Sequence, residues 1–220
     1  MLLQDFKKYP LTYGLIIINI IIYLITANAS HNFIDMNNQV LLNMGATYGP
    51  KMALDGQWWR LFSAMFLHAG IMHIGMNMYS LQIVGKGMES YFKPIQYLII
   101  YLLSGMVGSV VSVYMHAHTL GIGASGAIFG VFGALAGFFL AHKDEIAKQS
   151  KAFFATFGSV IALNLFMGLS IQNIDMSAHI GGLISGFIGG YLVSKNPKYI
   201  WVYCAFMIIV IIGIAKSITL

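Results

Sequence analysis

The sequence is short of charge. Only 9% of its 220 residues are Asp, Glu, Lys or Arg, against roughly 25% in a soluble domain, while 58% are hydrophobic. This excludes a soluble globular chain and predicts a polytopic membrane protein whose length suits one compact bundle. Acidic residues are scarcer than basic ones, 7 against 12. The basic residues are scattered between apolar blocks, so no nucleic-acid partner is expected and they read as topology signals. Cysteine is down to one, Cys204, inside an apolar run, which excludes a disulfide framework. With no His or acid beside it, it reads as a packing residue. The glutamate of a His-Glu-x-x-His zinc motif is missing too. His68 and His73 are five apart, which is not the i, i+4 placement that puts two ligands on one helix face. No metal and no cofactor are expected.

What the sequence has is apolar runs, and seven can be read. The first covers about residues 11–26, behind a short basic start with Lys7 and Lys8. With Ala27-Asn28-Ala29 after it, this run also mimics a signal peptide; its length and the interruption at Asn19 favour a span. The others cover about residues 66–85, 95–114, 125–141, 152–170, 177–193 and 199–215. Residues about 28–65 are partly polar and broken by Gly45, Gly49, Pro50 and Gly56, which predicts a membrane-surface loop with short helices. Near its end Trp58 and Trp59 precede Arg60, a pattern expected of an interfacial belt. The expected organisation is an all-α polytopic membrane protein: a cytoplasmic N-terminus (1–10), a core of six transmembrane helices (11–194), then a linker and seventh helix (195–220).

Charge asymmetry predicts the orientation. With the N-terminus cytoplasmic, Lys7, Lys8, Lys86, Lys93, Lys143, Lys148, Lys151, Lys195 and Lys198 lie inside, and Lys51, Arg60 and Lys216 lie outside. Nine against three is a positive-inside bias for a multi-pass protein of the cell membrane. The second, fourth and sixth spans then run inward from the outer surface. His68, His73 and Asn77 on the second, Ser125 on the fourth and His179 on the sixth all fall in the outer half. Polar residues at such depth are unfavourable in lipid, so they are read as functional.

Glycines say which spans meet. Gly182, Gly186 and Gly190 follow His179 along one face of the sixth span, and Gly126, Gly130, Gly133 and Gly137 form a stripe on the fourth, beside Ser125. Small-residue stripes permit close helix packing in lipid, and packing these two together brings Ser125 to His179. A serine needs a base to take its proton, and His179 is the candidate. His73 and Asn77, four apart, share a helix face and can donate to one developing oxyanion together with the Ser125 amide. Asp175 lies one turn before His179. It can either orient that histidine or sit at the helix start, where an acid favours the positive end.

These residues, in this order, resemble the rhomboid family of intramembrane serine proteases. Gly123-Ala124-Ser125-Gly126 matches the family's Gly-x-Ser-Gly motif. Ala178-His179, with Gly182 and Gly186, matches Ala-His-x-x-Gly-x-x-x-Gly. His68, His73 and Asn77 match His-x-x-x-x-His-x-x-x-Asn, Trp59-Arg60 matches the Trp-Arg pair of the first loop, and Glu89 sits where the family often has a structural acid. The resemblance extends from the first span to the sixth, and the extra span is similar to a bacterial "6+1" arrangement. It implies a protease cutting in or near transmembrane segments of substrate proteins in the bilayer, from a site open to the extracytoplasmic side. Ser125 is implied as nucleophile, His179 as base, and His73 and Asn77 as oxyanion donors. His68, Gly123 and Gly126 are implied as supports of the site, and Trp59, Arg60 and Glu89 as structural. Phe129 stands where some members have a tyrosine stacked on the base; it can stack without the hydroxyl. An inert relative would have lost the serine and histidine that are both present, and a transporter would need polar residues across the whole bilayer, where the inner halves of these spans are apolar.

Overall fold

All four prolines fall at the first positions of a helical segment, where a missing N–H costs no hydrogen bond and the fixed φ already suits the helix. The computed structural model describes residues 2–148, 151 and 175–218. Its helices are α1 (Leu2–Lys8), α2 (Pro10–Ser30), α3 (Asn38–Met44), α4 (Gly49–Ala53), α5 (Arg60–Ser63), α6 (Ile71–Tyr91), α7 (Pro94–Met115), α8 (Ser125–Ala141), α9 (Met176–Lys195) and α10 (Ile200–Lys216), with 3₁₀ turns at Ala64–Phe66 and Pro197–Tyr199. Among the described residues there is no sheet, only two isolated backbone bridges. The chain is an all-helical membrane bundle. Four segments, Pro10–Ser30, Pro94–Met115, Met176–Lys195 and Pro197–Lys216, are long and apolar enough to cross a bilayer, and Ser125–Ala141 is apolar but shorter. The run expected at residues 152–170 lies outside the described residues.

The second expected span is displaced. Its helix begins at Ile71, because the preceding residues are held extended by the surface loop. Met36 N–H donates to the Ala69 carbonyl at 2.7 Å and Ile71 N–H to the Ile34 carbonyl at 3.1 Å. Residue-by-residue periodicity carries no sign of such a long-range pairing. At its other end α6 runs on to Tyr91, where Glu89 accepts the backbone N–H groups of Leu11 (3.2 Å) and Thr12 (2.6 Å). Those amides are among the unpaired donors of the first turn of α2, so the acid caps the first span from a neighbouring helix.

The surface loop is built from short pieces. Asn37 caps α3 by accepting from the amides of Gln39 and Val40. Arg60, only 5% exposed, donates to the carbonyls of Leu42 (2.6 Å) and Ala46 (2.8 Å) and to Gln57 Oε1 (2.8 Å). A buried cation held by carbonyls fixes the fold of this loop, and its guanidinium also lies 4.9 Å from the ring centre of the half-exposed Trp59.

Helix α8 is the enclosed one, with α9, α7 and α6 packed around it. Its contact with α9 is backbone against backbone. A Cβ on Gly182 would strike the Gly126 carbonyl, one on Gly186 the Gly130 carbonyl, and one on Gly190 that of Ala134. From the other side, Gly133 and Gly137 face the carbonyls of Leu183 and Phe187. The glycine stripes therefore meet as their spacing predicts. Replacing Gly186 by valine is expected to force these helices apart, at ~1–3 kcal/mol for overpacking, and to lower the melting temperature and any activity of the Ser125 end together. Gly14, with nothing within 4 Å of its Cβ position, is the control: Gly14→Ala should leave both unchanged.

Candidate active site

Ser125 is the first residue of α8. The loop before it is tied at two points: Thr47 and Gly121 exchange backbone hydrogen bonds of 2.9 and 3.0 Å, and Gly123 N–H donates to the Ala64 carbonyl at 2.9 Å. Gly123 has φ +117°, a conformation that side chains rarely adopt. A Cβ there would also lie 2.8 Å from His73 Nε2 and 3.7 Å from Asn77 Nδ2. Glycine is thus required twice over, by the turn and by the His73 ring that closes over it, with Asn77 at contact distance beside it.

On α9, His179 points its Nε2 at Ser125 Oγ, 2.9 Å away. Its ring stacks on Phe129, one turn along α8 from the serine, with centroids 4.3 Å apart and planes 8° from parallel. His179 is 8% exposed. Its Nδ1 has no hydrogen-bond partner among the described residues, so no acid orients the ring directly. Asp175 serves α9 instead. It is the N-cap, accepting from the amides of Ser177 (3.0 Å) and Ala178 (3.1 Å), and it accepts the hydroxyls of Ser177 and Ser112 as well. Burial raises the pKa of its carboxyl, but these hydrogen bonds outweigh that and hold it below the usual carboxylate range.

His73 and Asn77 lie on one face of α6, turned toward Gly123. The Ala69 N–H donates to His73 Nδ1 at 3.4 Å, which leaves the ring proton of a neutral imidazole on Nε2, the nitrogen nearest Gly123. Asn77 Nδ2 is buried with no acceptor among the described residues. Two donors with unspent protons therefore converge beside the serine. His68 is not on the helix, where sequence spacing put it. It sits in the extended link before α6, fully buried, with its ring edge-on to His73 at 5.0 Å. The rotation expected from a helical spacing of five does not apply, because residues 67–70 are not helical.

The structure thus brings Ser125, His179, His73, Asn77 and Gly123 together, with His68 behind His73 and Gly126 at the contact with α9. Trp59 and Arg60 stay in the surface loop. Glu89, twelve residues along α6 from Asn77, is ~18 Å further down the helix. What sequence reasoning missed is Ser112. The sequence offers only the spacing of four between Gly108 and Ser112 on the third run; in the structure a Cβ on Gly108 would lie 2.7 Å from the Ala178 carbonyl, which marks that face as the one against α9.

A family model described as the rhomboid domain matches residues 55–196. Among curated proteins, the chain is 37% identical over 169 residues to RHOMBOID-like protein 6, mitochondrial, of Arabidopsis thaliana, covering 77% of this chain and 54% of that protein. It is 38% identical over 165 residues to RHOMBOID-like protein 2 of the same plant, covering 75% and 51%. To Rhomboid protease GluP of Bacillus subtilis (strain 168) it is 39% identical over 155 residues, covering 69% and 29%. The chain spans about half the length of the two plant relatives and less of the bacterial one.

Proposed function

From the membership of this chain in the rhomboid family, which the match over residues 55–196 establishes, we propose that it is a serine endopeptidase that cuts membrane proteins in or near their transmembrane segments. The observation that carries the reading is the 2.9 Å approach of Ser125 Oγ to His179 Nε2 inside a membrane bundle. In the proposed reaction the Ser125 oxygen attacks the scissile carbonyl carbon while His179 takes its proton. The carbonyl oxygen becomes an oxyanion, held by His73 Nε2–H, Asn77 Nδ2–H and the Ser125 amide, which has no acceptor within the helix because it lies in the first turn. Collapse breaks the C–N bond, and the amine leaves with the proton from His179. Water, deprotonated by the same histidine, then hydrolyses the acyl ester and restores the serine.

The division of labour follows the geometry. Phe129 and His68 hold the base and the donor histidine by packing, and Gly123 and Gly126 let the backbones approach. The orientation rests on the positive-inside bias: N-terminus cytoplasmic, Ser125 end opening outward in the cell membrane. A polar cluster cannot face lipid, so the reading requires a water-accessible cavity on that outer side. Residues 11–194 are assigned as the proteolytic core and residues 195–220 as linker and extra helix. The test is a reconstituted vesicle assay with a single-span substrate protein. Wild type should yield two fragments with a cut in or beside the span, and Ser125→Ala none. Equal cleavage by the two proteins would overturn the assignment.

A further inference from the structure

We propose that Ser112 and Asp175 are positioning residues for His179, a clasp that takes over the task an acid on the imidazole performs elsewhere; the inference rests on the proteolytic reading above. His179 has no side-chain hydrogen bond other than that to Ser125 among the described residues, since its Nδ1 is unpartnered. The direction of its ring is then set by the Phe129 stack and by where the first turn of α9 sits. Asp175 governs that turn. One carboxylate oxygen, Oδ1, takes the amides of Ser177 and Ala178 and the Ser177 hydroxyl, and the backbone N–H of His179 reaches the Asp175 carbonyl at 3.3 Å. The other oxygen, Oδ2, takes the hydroxyl of Ser112, on the last turn of α7. Ser112 is 4% exposed, and a Cβ on Gly121 would lie 3.3 Å from its Oγ.

A single hydroxyl therefore sits where three things meet: the end of α7, the start of α9 with the base, and the loop that leads to Ser125. One turn below, Gly108 lets α7 touch the Ala178 carbonyl, so α7 holds the first turn of α9 at two levels. A helix start frays unless its donors are tied down. The serine–histidine geometry is sensitive to small displacements, and ~1 Å at a remote support can cost ~100-fold in rate.

The test uses the full chain in detergent micelles. It compares wild type, Ser112→Ala, Asp175→Ala, the double variant and Asp175→Asn. Three quantities are read: the rate of fluorophosphonate labelling at Ser125, the melting temperature, and amide hydrogen exchange over residues 176–179. Ser112→Ala leaves the carboxylate charge and the helix cap in place. It should slow labelling by ~10-fold with little change in melting temperature, and Asp175→Ala by ~10–100-fold. The double variant should be no slower than Asp175→Ala by more than about twofold, because both substitutions break one clasp. Asp175→Asn keeps an acceptor for the amides and a donor for the Ser112 oxygen, and should recover most of the rate. Exchange over residues 176–179 should quicken in both alanine variants. Wild-type labelling by Ser112→Ala, independent multiplying losses in the double variant, or unchanged exchange would each overturn the clasp. A wild type that neither labels nor cleaves would instead overturn the proteolytic reading, and exchange would still decide whether the clasp exists.

Discussion

His179→Ala is expected to lower turnover by ~10⁴–10⁶-fold, or ~5–8 kcal/mol of transition-state stabilisation. The serine hydroxyl is a weak nucleophile without a base, and His179 Nε2 at 2.9 Å is the only basic side-chain atom hydrogen-bonded to Ser125 Oγ among the described residues. His73, the other histidine nearby, presents Nε2–H as a donor because its Nδ1 accepts from Ala69, so it cannot substitute. The variant should stay folded. The closest packing of α8 on α9 lies in the glycine stripes further along, and the imidazole contributes mainly its stack on Phe129. Steady-state cleavage of a single-span substrate, with melting temperature alongside, checks both halves. A variant that keeps a tenth of the wild-type rate would remove His179 from the mechanism.

Asn77→Ala is expected to lower kcat by ~100–1,000-fold, or ~3–4 kcal/mol, with KM nearly unchanged. Its Nδ2 is buried and unpaired among the described residues, so in the resting protein it contributes desolvation cost and no compensating bond. In the proposed mechanism the group becomes useful only when an oxyanion forms beside Gly123. Removing it should therefore leave the melting temperature the same or slightly raised while activity collapses. That combination separates a donor kept for the transition state from a packing residue, whose loss would lower both. Michaelis–Menten analysis and thermal unfolding on one preparation suffice. A falling melting temperature with a proportionate loss of rate would assign Asn77 to packing.

Much of this arrangement could be read from the sequence because lipid makes packing simple. With no hydrophobic difference between helix and solvent, close contact needs small residues, and the runs of Gly126, Gly130, Gly133 and Gly137 against Gly182, Gly186 and Gly190 marked the α8–α9 contact in advance. The helix start at Ser125 was likewise visible as a break from a glycine-rich loop into an apolar run. What could not be read was set by long-range backbone pairing. The start of α6 at Ile71 depends on the bonds of Met36 and Ile71 across the surface loop, and His68 leaves the helix with it. Glu89 could be placed as structural, yet its task, capping α2 from the far end of α6, involves residues 77 and 78 positions away. Asp175 had two readings open, and its hydrogen bonds assign it to the helix start, with the bond to Ser112 added. Arg60 could be placed as structural in the surface loop, yet its task, donating to the carbonyls of Leu42 and Ala46 while buried, rests on partners 18 and 14 positions away.

The central claim is that Ser125 is activated by His179. Mapping a fluorophosphonate adduct by intact and fragment mass addresses it without knowledge of the substrate. The account predicts one adduct per chain, on Ser125, absent from Ser125→Ala and nearly absent from His179→Ala. An adduct on another serine, or labelling of Ser125 that persists at the wild-type rate in His179→Ala, would contradict it.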